Sequence, residues 1–459
     1  MQKIDNFLSI SLQFLILIFP LTFILGNLSI NIIIILVSLL GIMLFRSKIF
    51  FYWNSNYILS FFILFFLLIL FSSTNRILNE GMDKDWIKSV LFFRFLTFFV
   101  VISCMVKFKK INLRYFFISC FLVTSFVSLD IIIQYVFGNN IFGFDPISIS
   151  TKIKYFTGVF RKELIAGGFI LMFSIIGLFA LPFLLKDKKK SLLILLFILM
   201  SCLLLTSIIF SGNRMPAVMF ALFMFLFLFL VKIKKFKTQL IMLVLGILII
   251  NLFIILKNEN IYNRFINFGK SPNPFIIIEE LKKEYPNLKK YENSGNYFFN
   301  LPEFHTTKNF TFYSFVTGHQ TLYITSIDLF LDNPLLGRGI KSFRNDCKKK
   351  IHLPNRICES HPHNFILEIL NDVGIVGLFL IIVPVLILLF NCYIEYLKGE
   401  KRVNNISNWI YLGVILSILI HFFPIKSTGS FFSTFNAGYT FLILGILMGL
   451  NEIRIKNEK

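Results

Sequence analysis

Apolar runs of about twenty residues dominate this chain, and short polar connections separate them. Each run is long enough to cross roughly 30 Å of hydrocarbon as a helix. The runs begin near residues 7, 28, 57, 87, 115, 164, 191, 215, 238, 364, 407 and 433. A chain with 56% hydrophobic residues and 60 Phe exceeds what one aqueous core can bury. The sequence therefore predicts an all-α polytopic membrane protein with about twelve transmembrane helices.

Lys and Arg gather in every second connection between the runs. The chain carries 46 Lys and Arg against 24 Asp and Glu, a net charge of +22. The clusters lie near residues 46–48, 107–114, 186–190, 232–237, 398–402 and 454–459. Because basic connections stay in the cytoplasm, we expect both termini there. The positive charge then reports orientation, and nucleic-acid binding is a poor explanation of it.

One connection is far longer than the others and falls on the opposite, periplasmic side. It divides the chain into residues 1–256 with nine helices, a large periplasmic loop at 257–362, and residues 363–459 with three helices and a cytoplasmic tail. A loop of this length is usually functional or disordered. Residues 313–343 have helix-like apolar spacing and include a Pro/Gly-rich turn, DNPLLGRG at 332–339. We therefore expect short helices in the second half of the loop.

Two of the six cysteines, Cys347 and Cys358, lie in the large loop. In an oxidising periplasm this pair is expected to form a disulfide. A zinc site that includes His352 or His361 is the competing interpretation, although the spacing matches no structural zinc pattern. The other four cysteines lie within or beside the apolar runs, where they are expected to pack as small apolar residues.

The segment HPHNFILEILNDVG at 361–374 joins the large loop to the tenth run. Pro362 suits the first position of a helix, which would put His363 in the first helical turn. The positive end of the helix dipole disfavours imidazolium there, so His363 would be a neutral imidazole that can accept a proton. A capping or interfacial histidine is the alternative.

Asn364, Glu368 and Asp372 follow with a spacing of four residues. This spacing puts them on one face of a helix. Carboxylates at this depth usually face the interior of a bundle or a wet cavity.

Further charged residues lie near the same side of the predicted membrane. Arg214 sits in the short turn SGNR at 211–214, where its guanidinium could bind phosphate or merely reach the headgroups. The large loop adds four candidates for substrate binding, namely His319, Arg338, Lys341 and Arg344. Taken singly, such residues are more often solvated charges than binding residues. Arg94 and Asp130 lie within two predicted spans at similar depths. A structural ion pair between them is the interpretation we favour.

The order, spacing and membrane side of these segments resemble the O-antigen ligase and polymerase superfamily. The resemblance covers SGNR at 211–214, DNPLLGRG at 332–339, and HPHN at 361–364 with Leu367-Glu368 and Gly374. FPIKSTGSFF at 423–432 is similar to the C-terminal region of the family. YFTGVF at 155–160 and ELIAG at 163–167 are similar to a more N-terminal family segment.

The resemblance implies a fold related to the C-type membrane glycosyltransferases, at the outer face of the bacterial inner membrane. Family members act on undecaprenyl-diphosphate-linked glycans without metal or nucleotide, so no cofactor is expected. By position, Arg214 would hold the diphosphate, and His363 would be the catalytic base or would orient the acceptor. Many relatives have Ser-Gly-Arg where this chain has TGH at 317–319. The expected substrate-binding residues are His319, Arg338, Arg344, His361, Asn364 and Glu368.

The first functional hypothesis is therefore an O-antigen ligase that joins the lipid-carried glycan to lipid A-core. A polymerase that extends the glycan on the same carrier is the nearest alternative, and transfer to a protein acceptor is a third. From another class, a transporter or lipid flippase is disfavoured because no repeat relates the two halves and the polar candidates crowd one face. A receptor or scaffold built on the large loop is the remaining alternative.

Overall fold

All twelve predicted apolar runs form helices in the computed structural model. The structure describes residues 2–49, 52, 56–80, 85–150, 153–185, 190–231, 237–259, 261–262, 265, 318–351, 356–398 and 408–458. The fold is an all-α polytopic membrane fold. In chain order the α-helices are α1 (Gln2–Leu25), α2 (Asn27–Phe45), α3 (Tyr57–Glu80), α4 (Asp85–Lys107), α5 (Leu113–Phe137), α6 (Ala166–Leu178), α7 (Leu181–Leu184), α8 (Lys190–Phe210), α9 (Arg214–Leu230), α10 (Lys237–Lys257), α11 (Gly318–Asp332), α12 (Phe343–Asp346), α13 (Phe365–Lys398), α14 (Asn408–His421) and α15 (Thr434–Glu458).

Eight helices in the described segments are long and apolar enough to cross a membrane. Shorter apolar helices occur at Ala166–Leu178, Arg214–Leu230, Val244–Lys257 and Asn408–His421. The bundle interior is rich in Phe, and Phe441 of α15 packs against several other rings, with the Phe66 ring centroid 5.2 Å away. A short hairpin of β1 (Ile147–Ser150) and β2 (Ile153–Tyr155) follows α5, with Ile147 opposite Tyr155.

The described basic residues Arg46, Lys48 and Lys107 lie at one end of the bundle, which we call the basic end. There the Arg46 guanidinium at the end of α2 lies 3.5 Å from the Asp5 carboxylate at the start of α1. The Lys107 ammonium at the end of α4 lies 3.0 Å from the Glu452 carboxylate near the end of α15. The Lys48 ammonium lies over the ring of Phe108, the neighbour of Lys107, 5.9 Å from the centroid. Arg46, Lys48 and Lys107 therefore lie on the same side, as the alternating charge pattern predicts.

The starts of α9 and α13 lie at the opposite end, which we call the site end. The Tyr396 hydroxyl near the end of α13 donates to the carbonyl of Leu230 at the end of α9 over 2.8 Å. The Asn391 amide donates to Asn451 of α15 over 3.0 Å. Because α9, α13 and α15 all run toward the basic end, Arg214 and Phe365 begin their helices at the site end.

The turn at residues 332–339 docks on a kink in α13 at Gly374, whose φ is 68°. The amides of Arg338 and Gly339 donate to the carbonyls of Asn371 and Asp372 over 3.0 and 2.8 Å. In return, the Ile375 amide donates to the carbonyl of Pro334 over 2.9 Å. The conformation of Gly374 leaves helical backbone groups without internal partners, and the turn satisfies them. The motif DNPLLGRG therefore fixes the described second part of the large loop, which begins at residue 318, on the bundle.

The predicted pairing of Arg94 with Asp130 is wrong. The Arg94 guanidinium donates to the side chain of Asn31 on α2 over 3.0 Å. The Asp130 carboxylate accepts from the side chain of Asn140 over 3.1 Å and from the Ile141 amide over 2.9 Å. The two charged groups face different elements, because the turn after α5 folds back over Asp130 and satisfies it.

Candidate active site

His363 precedes α13 and is not part of it, so the predicted positions of Pro362 and His363 within the helix are wrong. The helix begins at Phe365, and the side-chain oxygen of Asn364 accepts from the Leu367 amide over 3.1 Å as an N-cap. Asn is a strong capping residue because its side chain satisfies an amide that has no helical partner. His363 itself has a φ of 56°, in the left-handed region. A bulky residue held in this conformation is strained, which is common at functional sites.

The segment at residues 423–432, between α14 and α15, packs against His363 and its neighbour. The Thr428 amide donates to the carbonyl of His363 over 2.9 Å. The Asn364 side-chain amide donates to the carbonyl of Pro424 over 2.7 Å. Tyr323 of α11 makes side-chain hydrogen bonds with Ser427 and Asn364. Two separate parts of the chain, α11 and the segment at 423–432, therefore converge on the start of α13.

Asn364, Glu368 and Asp372 lie on one buried face of α13, as their spacing predicts. The Glu368 carboxylate accepts from the Ser430 hydroxyl and the Phe431 amide, each over 2.5 Å. The Asp372 carboxylate accepts from the Lys341 amide over 2.6 Å and from the Ser342 hydroxyl over 2.9 Å. Both carboxylates thus hold loop segments against the helix, and this is how the structure positions the residues around His363.

The His363 side chain is half-buried, and burial lowers the pKa of its imidazole, while the nearby Glu359 carboxylate opposes that shift. A lowered pKa keeps the ring neutral at pH 7, as a proton acceptor must be. The His361 ring lies beside it, with centroids 4.1 Å apart. The neutral imidazole predicted from the sequence is therefore supported, although burial and not the helix dipole is its main cause.

Arg214 is the first residue of α9 and follows a tight turn in which Gly212 has a φ of 79°. The neighbouring Asn213 fixes this turn, because its side chain accepts from the Gly167 amide and donates to the carbonyl of Leu164, both over 2.9 Å. The turn is thereby tied to the start of α6, and the half-buried Arg214 projects from a fixed backbone.

A continuous row of rings joins α6, to which the Arg214 turn is tied, with the start of α13. Phe173 of α6 packs on Tyr439 of α15 with centroids 5.1 Å apart. Tyr439 packs on His421 of α14 at 5.0 Å, and His421 packs on Phe365 of α13 at 5.2 Å. Arg214 and His363 thus lie at the same end of one packed unit.

The loop cations have different surroundings. The Arg338 guanidinium lies 2.9 Å from the buried carboxylate of Asp346, which Arg76 also approaches to 3.4 Å. Arg344 is half-buried, and within the described part of the chain its Nε has no hydrogen-bond partner. Burial lowers the pKa of Lys341, and the nearby Arg344 and Lys88 charges lower it further. His319 is in the first turn of α11, but its side chain lies outside the described residues. Their roles in substrate binding stay predictions.

Sequence reasoning missed two residues of this site, Tyr323 and Lys426. Lys426 is 5% exposed, and its ammonium lies over the Phe365 ring, 5.7 Å from the centroid. The resemblance of FPIKSTGSFF to a family region could have drawn attention to it, since the basic clusters lie in the connections of the opposite side. Tyr323 has no such signal, because apolar spacing alone does not distinguish a site residue from a core residue.

A disulfide joins Cys347 and Cys358, with Cα atoms 5.1 Å apart. It lies beside a small loop core of Leu322, Leu329 and Phe343. The competing zinc interpretation finds no support in the described residues, where no group of three potential ligands could hold a metal ion. His352 lies outside them.

Replacing both Cys347 and Cys358 with serine should destabilise the loop by about 3 kcal/mol, because the chain entropy of the unfolded loop increases. Faster proteolysis between residues 318 and 362 would show this effect. Cys202→Ser, at a cysteine without a disulfide, is the matched control and should leave the cleavage rate unchanged. Equal rates for the double variant and the unmodified protein would contradict the expectation.

Comparison with known proteins agrees with the sequence motifs. Residues 195–382 match the model of a family described as O-antigen ligase, which confirms the resemblance to the O-antigen ligase and polymerase superfamily. The matched region contains Arg214, the docking turn, His363 and the kink at Gly374. No curated protein matches the chain.

Proposed function

We propose that this chain, which matches the O-antigen ligase family over residues 195–382, transfers a glycan from undecaprenyl diphosphate to an acceptor hydroxyl. The most favoured acceptor is lipid A-core, which makes the protein an O-antigen ligase. One observation carries the proposal. The half-buried, neutral His363 is held by loop segments at the site end of the bundle, where Arg214 begins α9.

In the proposed reaction, the acceptor oxygen attacks the anomeric carbon while the bond from that carbon to the diphosphate oxygen breaks. His363 takes the proton from the acceptor hydroxyl, which makes the oxygen a better nucleophile. The electron pair of the broken bond stays on the diphosphate, and the guanidinium of Arg214 stabilises the resulting charge. Attack opposite the leaving group inverts the anomeric centre. Chemistry of this kind requires no cofactor.

An apolar groove supports the placement of the lipid tail. It has a volume of about 670 Å³ and is lined by α1, α5 and the segment at 159–163, with Phe126 and Phe144 among its walls. The next residue after Glu163 is Leu164, whose carbonyl is held by Asn213 beside Arg214. A polyprenyl chain in this groove would bring its diphosphate toward Arg214, with the tail in hydrocarbon and the headgroup at the water interface.

The site end would face the periplasm of the bacterial inner membrane, and the basic end would face the cytoplasm together with both termini. The donor glycan would then meet its acceptor outside the cytoplasm. Cysteine labelling with a membrane-impermeant maleimide tests this orientation. In intact spheroplasts the reagent reaches only the periplasmic face of the inner membrane. A cysteine introduced at exposed Ile425 should therefore react in intact spheroplasts, and one at exposed Lys109 should react only after the membrane is opened.

Arg214→Lys should reduce transfer by about tenfold, because lysine keeps the charge but loses the planar fork that binds phosphate through two hydrogen bonds. The reduction should appear mainly in the KM for the lipid-linked donor. Arg161→Lys, at an exposed arginine on the rim of the groove, is the matched control and should change transfer less. Unchanged kinetics for Arg214→Lys would contradict the assignment of Arg214 to the diphosphate.

A polymerase that extends the glycan on the same carrier is the second candidate, since the two reactions share one donor and differ only in acceptor. The surface glycans of a strain without the protein separate them. Loss of a ligase should leave long chains attached to the lipid carrier, whereas loss of a polymerase should leave single units on lipid A-core. The gel pattern therefore identifies the acceptor.

A further inference from the structure

Lys426 carries a buried ammonium group that the proposed reaction has not yet used. Its side chain is 5% exposed, although the preceding Ile425 is 72% exposed, so the segment reaches the protein surface beside it. Among the described residues no carboxylate forms an ion pair with Lys426. A buried charge without an opposite charge costs free energy, and proteins keep such groups mainly for function.

The position of Lys426 places this charge at the candidate active site. Its carbonyl accepts from the Asn364 side-chain amide over 3.4 Å, and its ammonium lies over the ring of Phe365, the first residue of α13. Two residues further on, the Thr428 amide donates to the carbonyl of His363. The lysine is therefore fixed next to the two residues that precede the helix.

The groups around Lys426 do not neutralise it. The Glu368 carboxylate on α13 accepts from Ser430 and Phe431 and forms no ion pair with Lys426, and Tyr323 on α11 contacts the neighbouring Ser427. His421 on α14 carries an imidazole, which supplies no negative charge in either of its ordinary protonation states. The Thr440 hydroxyl donates to the carbonyl of Asn436, so His421 must donate to that hydroxyl through Nε2, over 2.7 Å. Lys341 and Arg344, near Glu368, add positive charge.

We propose that Lys426 is an anion-binding residue of this site and contacts the diphosphate of the lipid-linked donor. The inference rests on the proposed function and deepens it, because it adds a cation from the segment at 423–432 to Arg214 from the α8–α9 turn. Two cations from separate elements would select a diphosphate over a monophosphate. This residue lies outside the region that matches the family model.

Binding of undecaprenyl diphosphate to the full-length protein in nanodiscs tests the inference, with undecaprenyl monophosphate as the comparison. Lys426→Met should weaken diphosphate binding about 10- to 100-fold and reduce the preference over monophosphate. Lys48→Met, at an exposed lysine of the basic end, removes the same charge and should leave binding unchanged. Lys426→Met should also keep or raise the melting temperature, because it removes a buried charge, so weaker binding would not reflect unfolding.

The pH dependence separates an anion-binding lysine from a structural one. Burial lowers the pKa of Lys426 to about 8, so the ammonium is charged below this pH and loses its proton above it. Diphosphate binding by the unmodified protein should therefore weaken above pH 8. Lys426→Arg keeps its charge, so its binding should stay constant over the same range.

Two results would overturn the inference in different ways. Equal diphosphate binding by Lys426→Met and the unmodified protein, or the same pH dependence in Lys426→Arg, would show that Lys426 does not touch the anion, with the proposed function intact. Failure of the unmodified protein to bind undecaprenyl diphosphate at any pH would remove both proposals.

Discussion

Replacing His363 with asparagine should reduce glycan transfer by about 10²- to 10⁴-fold, the usual contribution of a general base. Asparagine adopts the left-handed conformation more readily than most residues, so the substitution preserves the backbone at a φ of 56° while it removes the proton acceptor. Transfer should be measured with purified protein, and the effect should lie mainly in kcat. In the unmodified protein, transfer should fall only when the pH drops below the ordinary pKa of a histidine side chain, because the pKa of His363 is lowered.

The matched control for this variant is His361→Asn. The His361 ring lies beside that of His363, so the substitution removes an imidazole from the same place without removing the proposed base. Because His361 is an expected substrate-binding residue, its substitution should raise the KM and leave kcat largely unchanged. If both asparagine variants retained full transfer, His363 would be no more than a structural histidine at the start of α13.

Gly374→Ala should cause a large loss of stability. A Cβ at this position would lie 2.1 Å from the carbonyl oxygen of Leu335, and the φ of 68° disfavours any side chain. With a φ of 68° and a ψ of −171°, the backbone is in a region that essentially only glycine adopts, which costs alanine about 1–3 kcal/mol. The overlap adds about 1–3 kcal/mol because the turn must move away. The melting temperature of the purified protein and its level in the membrane should both fall.

Gly246→Ala is the control for the effect of adding a methyl group. Gly246 lies within α10, and a Cβ there would meet no atom within 4 Å. This variant should be neutral or slightly stabilising, because alanine is the better helix former. A melting temperature for Gly374→Ala that equals that of Gly246→Ala would show that the loop does not dock at the kink.

The sequence predicts the helices of this protein well, because a membrane requires long apolar runs and basic connections that alternate in side. Each of the twelve runs begins within a few residues of the start of a helix, whereas α11 and α12 belong to the large loop and α7 is a single turn after α6. The kink at Gly374 was not foreseen, since a single glycine in an apolar run is compatible with a straight helix. Only its contact with the turn at 332–339 shows what it does.

The site was predicted less completely than the fold. Spacing placed Asn364, Glu368 and Asp372 on one face correctly, because helical periodicity is a local property. The preference of proline for the first position of a helix put Pro362 and His363 inside the helix, whereas Asn364 caps the helix and His363 precedes it with a positive φ. Lys426 and Tyr323 come from segments distant in sequence, and only the packing of α11, α13 and α14 brings them to His363. Long-range convergence of this kind has no local signal.

The most direct test of the proposed function is reconstitution of the purified protein in liposomes with an undecaprenyl-diphosphate-linked glycan and lipid A-core. We expect glycosylated lipid A-core and free undecaprenyl diphosphate to form in equal amounts, and both to be lost with His363→Asn. Absence of both products from the unmodified protein, with donor and acceptor shown to be intact, would contradict the proposed reaction.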